Sequence, residues 1–537
     1  MMNIILLLSS AVVLISTTFL SKMSRRIRVP ALLAFIFLGM IFGTEGIFKI
    51  NFTNFRLAEI ICTVALIFIM FYGGFGMNWK MIKPVFSRAA IMASMGTVCT
   101  ALAVGAFCHL VLRMNILEGF LLGSVISSTD AASVFSILKA NRLSLKHNTD
   151  SLLEMESGAN DPFAYLLTVT LIAMIQGSTT VKKVSLLLFN QLFFGILLGI
   201  VIAVLTVKIF KNFRFENEGM QSAFMVAIAV LSYALPTAFG GNGFLSAYIV
   251  GVILGNRLRV NKKSMVNTFD SITSLMQIVI FFILGLLSVP SEIIKAFPIA
   301  VLITVFMGLI ARPIISFALM KPLKAPNRQI AVVSWAGLRG ASSIVFATVA
   351  AVTIPSLSID IFHIVFCVVI LSILSQGTTL KFISIKCDMI DPEGDVMKTF
   401  NDYSEEVDMD FISTIIDPSS NWIGKKISEI GMPNDILITL IQRNGQDIIP
   451  NGETVIEAND ELVLTATTFK NTSMGIDLQE HVIDKKHRWA YLTLSEISVP
   501  DNYLVVIIKR EGHTVVPHGH TIILPGDIVV LNTLRNT

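Results

Sequence analysis

Three stretches place charged and oxygen-bearing side chains where only apolar ones are expected. Residues 151–176, SLLEMESGANDPFAYLLTVTLIAMIQ, are long and apolar enough to cross a bilayer, yet they carry Glu154, Glu156, Asn160 and Asp161. A charge at the centre of a membrane helix costs about 2.5–3.5 kcal/mol on insertion scales, so such groups mark ion or proton paths rather than packing. The second stretch is Ser127-Ser128-Thr129-Asp130, and the third is Gly337-Leu338-Arg339-Gly340-Ala341-Ser342-Ser343. Carboxylate, hydroxyl and carbonyl oxygens together replace the hydration shell of a small cation. A carboxylate among them takes up a proton instead when the cation leaves.

Helical spacing sorts these groups. Ser157 and Asp161, four apart, share one face, which is predicted to hold a dehydrated monovalent cation. Glu156 and Asn160 share a second face about 100° away, and the cation predicted to meet them is Arg339. Pro162 lacks the N–H that would bond to the carbonyl of Gly158, which frees an acceptor one turn from the carboxylate. Arg312 lies about 13 Å from Lys321 along a helix, and it either snorkels to the interface or forms an internal ion pair. STDAASV (128–134) and LRGASSI (338–344) match at an offset of 210, with Ala131/Ala341 and Ser133/Ser343 identical. An odd number of spans separates them, so they cross the membrane in opposite directions. Interrupted helices at matching places in inverted halves point to a midplane transport site, with Asp130 and Arg339 at the dipole ends of the broken helices.

The elements that must position these residues are membrane spans. The 537-residue chain is 54% hydrophobic and only 15% charged, with a mean hydropathy of +0.74. Apolar runs begin near residues 3, 29, 56, 88, 117, 151, 184, 220, 243, 265, 294, 327 and 360. The odd-numbered connections carry twenty Lys and Arg and the even-numbered ones six. The positive-inside rule therefore puts the N-terminus outside and the C-terminus in the cytoplasm. The basic cluster Lys22, Arg25, Arg26 and Arg28 follows the first apolar run instead of preceding it, which predicts a retained helix rather than a cleaved signal. The net charge of +4 sits in short loops and does not suggest nucleic acid; the five cysteines have neither disulfide nor zinc spacing. No nucleophile–base or metal-ligand constellation appears, which argues against an enzyme. The predicted architecture is an all-α polytopic membrane domain of about thirteen helices with inverted repeats and broken helices, followed by a cytoplasmic α+β tail.

The tail is a duplication. Residues 427–464 align without gaps to residues 494–531 at an offset of 67, sharing among others Glu429/Glu496, Arg443/Arg510, Gly452/Gly519 and Asp460/Asp527. Apolar alternation around Asn-Gly and Glu-Gly reads as β-hairpins. The expected division is a membrane domain 1–385, a linker 386–410 with an acidic helix-prone stretch Asp402–Asp410, and subdomains 411–470 and 471–537. His513, His518 and His520 cluster at a turn and are read as solvated rather than as metal ligands, and His109 and His363 as structural. No GxGxxG follows a strand, so dinucleotide binding is not expected.

At SSTDAASVFSIL (127–138), ESGANDPFAYLLT (156–168), SLMQIVIFFILGLL (274–287) and SWAGLRGASSIVFAT (334–348), the sequence resembles the monovalent cation/proton antiporters, in the branch marked by an Asn-Asp pair. The tail resembles the C-terminal ligand-binding subdomain of potassium-conductance regulators, here doubled. The resemblance implies potassium/proton or sodium/proton exchange in the cell membrane, with potassium preferred, by an elevator-like movement in a homodimer. It implies that Asp161 binds cation and proton alternately, with Ser157 and the Thr129 backbone as co-ligands and Asp130 beside them. It also implies that Glu156, Asn160 and Arg339 form a structural ion-pair cluster; Arg312, Ser342 and Ser343 are secondary candidates. No cofactor is expected in the membrane domain, and a small regulatory nucleotide such as cyclic di-AMP is expected in the tail. Tyr72 stands where many relatives have an acid, and Ser342-Ser343 departs from the usual GA-V-P pattern. The alternatives are a ligand-gated cation channel, although no TVGYG-like filter is present, and a membrane-anchored sensor without flux.

Overall fold

The computed structural model describes residues 15–17, 31–140, 143–177, 180–213, 215, 217–258 and 262–391 of the membrane part. In the tail it describes 409–418, 420–432, 436–443, 446–467, 476–484, 487–497, 503–510, 513–515, 517 and 519–534. The first expected span, the basic cluster 22–28, the connector 402–408 and His518 lie outside the described residues. The chain divides into a unit 1–405 and a unit 406–537.

The first unit is a helical bundle: α1 (Ala31–Phe42), α2 (Phe55–Phe75), α3 (Phe86–Leu110), α4 (Ile116–Ile126), α5 (Ala131–Ala140), α6 (Thr149–Ile175), α7 (Val181–Asn212), α8 (Glu218–Ala238), α9 (Gly243–Arg257), α10 (Lys262–Leu287), α11 (Pro290–Met320), α12 (Asn327–Trp335), α13 (Ala341–Thr353) and α14 (Ile361–Lys386). Among the described residues, eight helices are long and apolar enough to cross a membrane, and four shorter apolar ones begin near residues 32, 116, 243 and 341. Each expected run from the second onward falls on one of these helices. In lipid no hydrophobic force draws helices together, so close packing of small residues does. At the α2–α9 crossing a Cβ on Gly251 would collide with the carbonyl of Phe71.

Two expected spans are broken in mid-membrane. The run near 117 ends as α4 at Ile126 and restarts as α5 at Ala131; the run near 327 ends as α12 at Trp335 and restarts as α13 at Ala341. Between α5 and α6 the chain forms a short strand, β1 (Ser144–Leu145), antiparallel to β2 (Ile390–Asp391) just past α14. Lys146 N donates to Met389 O at 2.8 Å, and Asp388 takes ion pairs from Lys146 at 3.0 Å and Arg328 at 2.7 Å. His147 and Asn148, both left-handed, then turn the chain into α6.

The tail contains two four-stranded antiparallel sheets, ordered β3-β6-β4-β5 and β7-β10-β8-β9. β3 is Met409–Ile415, β4 Ile436–Arg443, β5 Gln446–Ile448 and β6 Glu461–Thr467; β7 is Ile476–Val482, β8 Tyr503–Arg510, β9 His513–Val515 and β10 Ile528–Leu534. Every strand recurs 67 residues later, so the duplication extends to β3 and β7, ahead of the stretch that aligns by sequence. The helical part of an α+β unit is represented, among the described residues, by a 3₁₀ turn at Ile427–Glu429.

One repeated pair locks each sheet. Arg443 donates from Nε and Nη2 to the two oxygens of buried Asp460, both at 2.8 Å, and Arg510 does the same to Asp527. The bidentate arginine holds the carboxyls of Asp460 and Asp527 below the usual carboxylate range. A depressed folded-state pKa means the stabilisation is complete above the unfolded value, about 4, and is lost as pH falls through the folded value. Arg443→Ala, which leaves Asp460 buried without its partner, is expected to destabilise the first sheet by about 1–3 kcal/mol at neutral pH. Urea-dependent proteolysis of the tail in the full-length protein reads this, and the difference from wild type should narrow below about pH 4.

Candidate ion-binding site

The two helix breaks cross beside α6 and are hydrogen-bonded to each other. Asp130 N donates to Leu338 O at 2.8 Å. Arg339, fully buried, donates from Nη1 to the carbonyls of Ser127 and Ser128, both at 2.8 Å. The carbonyl end of α4 faces this guanidinium, while Asp130 heads α5 and accepts from the hydroxyl of Ser133, so each charge opposes the dipole end it sits on. A side chain at Gly340 would run into the Asp130 carboxylate. That close approach is what glycine permits here.

Asp161 lies at this crossing. Its Oδ1 accepts from the Ser128 hydroxyl, which stands 2.8 Å from the Ser342 hydroxyl; Ser342 also hydrogen-bonds the carboxylate, and the Asp130 charge lies close by. One turn back, Ser157 Oγ donates to Thr129 O at 2.6 Å, and Asn160 Nδ2 donates to Thr129 Oγ1. Asp161, Ser157, Thr129, Asn160 and Ser342 are all buried. Asn242 Nδ2 donates to Pro162 O at 2.9 Å, tying the proline turn to the start of α9. A carboxylate, a carbonyl and three hydroxyls therefore lie together, all of them on buried residues. This donor set suits a monovalent cation or a proton.

The residues 11–386 match the family described as sodium/hydrogen exchanger, transmembrane. The chain belongs to this family. The exchanger's tail matches the TrkA-C domain twice, over 412–468 and 478–535. The exchanger is 31% identical over 450 residues to the K(+)/H(+) antiporter NhaP2 of Shewanella oneidensis, covering 82% of this chain and 78% of that protein. It is 29% identical over 557 residues to the K(+)/H(+) antiporter NhaP of Alkalimonas amylolytica, covering 99% and 95%. The fold is similar to that of the sodium proton antiporter MjNhaP1 of Methanocaldococcus jannaschii, with a TM-score of 0.65 at 20% identity, over 72% of this chain and 99% of that one.

Two expected partnerships are different in the exchanger. Glu156 pairs with Arg312, not Arg339: Arg312 Nη2 contacts Glu156 Oε1, and both side chains are buried. Arg312 therefore does not snorkel. A π turn, Met307–Ala311, inserts an extra residue just before Arg312 in α11. Arg339 is instead taken up by the carbonyls that the break after α4 leaves without helical partners. Asn160 likewise leaves the predicted cluster and joins the break through Thr129. Spacing along α6 puts Ser157 and Asp161 on one face, but it specifies neither that Arg312 meets Glu156 nor that Thr129 draws in Asn160.

Ser128 is the residue that the sequence reasoning passed over. It stands in the quoted SSTD stretch, but only the crossing of the breaks brings it to Asp161. Ser343 is buried, and its hydroxyl has no hydrogen-bond partner among the described residues. Glu154 is buried near Tyr248, which packs on Gly158 and donates to Met77 Sδ at 3.3 Å.

Proposed function

We propose that the chain is a secondary active antiporter that exchanges one monovalent cation for one proton by alternating access to Asp161. The observation that carries this reading is a single buried carboxylate at the meeting point of two broken helices, with hydroxyls and a backbone carbonyl around it. Desolvation favours the protonated form and a bound cation favours the ionised form, so each ligand expels the other. One cation for one proton on a site of fixed charge makes the exchange electroneutral. Ser157 and the Thr129 carbonyl are co-ligands, with Asp130 beside them; Ser128 and Ser342 position the carboxylate. Glu156 with Arg312, and Arg339 with the break carbonyls, hold the frame. Potassium is the favoured cation: the relatives from Shewanella and Alkalimonas are named for potassium, although one from Synechocystis, 25% identical over 387 residues, is named a low-affinity Na(+)/H(+) antiporter.

The excess of Lys and Arg in alternate loops supports an outside N-terminus and a cytoplasmic C-terminus. Family resemblance supports a homodimer with an elevator-like movement. The doubled TrkA-C match supports a tail that binds a small anionic ligand such as cyclic di-AMP.

Proton flux in proteoliposomes, driven by potassium or sodium gradients over a pH series, tests the exchange. Protons compete with the cation for one carboxylate. The apparent KM for the cation should therefore rise as pH falls, approaching about tenfold per pH unit where the site is mostly protonated. Saturating cation should restore the rate. A cation flux that moves no protons would replace this reading with a channel.

A further inference from the structure

A polar surface lies in the membrane unit outside the exchange site. α10 crosses the membrane, yet Asn267, Asp270, Ser271 and Ser274 are all exposed. Their spacing, i, i+3, i+4 and i+7, puts them on one helix face. On the other side of the helix Met265, Val266, Phe269 and Ile280 are buried. This is the reverse of a lipid-facing helix. The Ser271 hydroxyl folds back onto the Asn267 carbonyl at 2.9 Å, which a serine tolerates in lipid. Among the described residues the Asn267 amide and the Asp270 carboxylate have no such bond to their own helix, and polar groups left to lipid are costly.

Two observations on α2 point to the same side of α10. Tyr72, itself buried, donates its hydroxyl to Asp270 Oδ1 at 3.0 Å. Beside it Gly73 flanks open space, since a Cβ there would meet nothing within 4 Å, whereas one on Gly74 would collide with the Tyr248 carbonyl. Asp270 lies eight residues into α10 from Lys262 at the lysine-rich end, about 12 Å along the helix, and its hydrogen bond to Tyr72 puts that residue at the same level. Asp161 lies twelve residues into α6 from the same end, about 18 Å deep. Counted each along its own helix, Asp270 lies about one turn nearer its helix start than Asp161 does.

We propose that the polar face of α10 walls the water-filled approach to Asp161 from the lysine-rich end, and that Asp270, held by Tyr72, is an electrostatic steering residue that concentrates monovalent cations there. This rests on the exchange reading above and deepens it. A fixed negative charge in a narrow low-dielectric cleft raises the local cation concentration without ligating the bound ion. It therefore acts on KM and leaves turnover alone. Position 72 supplies a hydroxyl that orients an acid borne by the neighbouring helix.

The test uses the full chain in proteoliposomes. Asp270→Asn should raise the apparent KM for potassium about three- to tenfold at low ionic strength with kcat within about twofold, and Asp270→Glu should restore it. The difference should shrink when choline chloride is raised to about 1 M, where the screening length falls to about 3 Å. Independently, Asn267→Cys and Ser274→Cys, in a background with Cys99 and Cys387 replaced, should react with a membrane-impermeant cationic methanethiosulfonate, whereas Leu197→Cys on the apolar face of α7 should not. An unchanged KM, a fall in kcat at constant KM, or unreactive cysteines at 267 and 274 would overturn the proposal. Absence of wild-type exchange would sink the antiport reading instead, and the labelling still decides whether this face is wet.

Discussion

Asp161→Asn is expected to leave a folded protein that exchanges nothing, with proton flux at the level of protein-free liposomes. Asparagine keeps the shape of the carboxylate and can still hydrogen-bond to Ser128 and Ser342, the groups that hold it. It has no charge to neutralise a dehydrated cation and no proton to give up, so both halves of the cycle fail together. Removing a buried charge relieves a desolvation cost, so the melting temperature should hold or rise. The check is a pair of measurements on one preparation: potassium-driven proton flux with an internal pH dye, and thermal unfolding in detergent. Retained exchange would remove Asp161 from the centre of the mechanism. Loss of both flux and fold would leave the stability account wrong.

Arg312→Met is expected to be among the most destabilising substitutions in the membrane unit, at about 3–5 kcal/mol, because it leaves Glu156 charged and buried without its cation. The double variant Glu156→Gln/Arg312→Met should recover most of that loss, since a neutral pair of similar volume carries little desolvation cost. A double-mutant cycle on denaturant midpoints gives the coupling. The pair lies on the α6 face away from the carboxylate site, so the double variant should retain potassium/proton exchange where Asp161→Asn has none. If the double variant is no more stable than the single, the pair is not the brace described.

The place of the candidate site was largely legible in the sequence because lipid makes polar residues conspicuous. SSTD, SGAND and GLRGASS stand out against apolar runs, and the breaks fall at 127–130 and 336–340 where those motifs sit. Face assignment on α6 was legible for Ser157 and Asp161, which both reach the first break as i,i+4 spacing requires, but not for Asn160, which reaches it too through Thr129. Partner choice was not. Arg339 looked like the free cation for Glu156, but a broken helix exposes carbonyls that spacing does not reveal, and those carbonyls take the guanidinium. Arg312 reaches Glu156 only through the crossing of α11 with α6, a long-range contact with no local signature. In the tail the reverse holds: a 67-residue offset between two sequence segments predicted two copies of one fold, and the strands recur at that interval. The polar face of α10 is not legible in the sequence because one Asp, one Asn and two Ser scattered over eight residues do little to the hydropathy of a span.

The pairing of β1 with β2 decides where the chain can be cut. Ile390 and Asp391 form a ladder with Leu145 and Ser144, a few residues ahead of the helix that carries Asp161. A tail deletion ending at Lys386 would remove one strand of that ladder together with Asp388, the acid that Lys146 and Arg328 share. Any change in transport would then mix two causes, loss of the tail and loss of a tether on the loop before α6. A stop after Asp391 keeps the tether, so comparing the two deletions separates the contribution of the tail from that of its attachment.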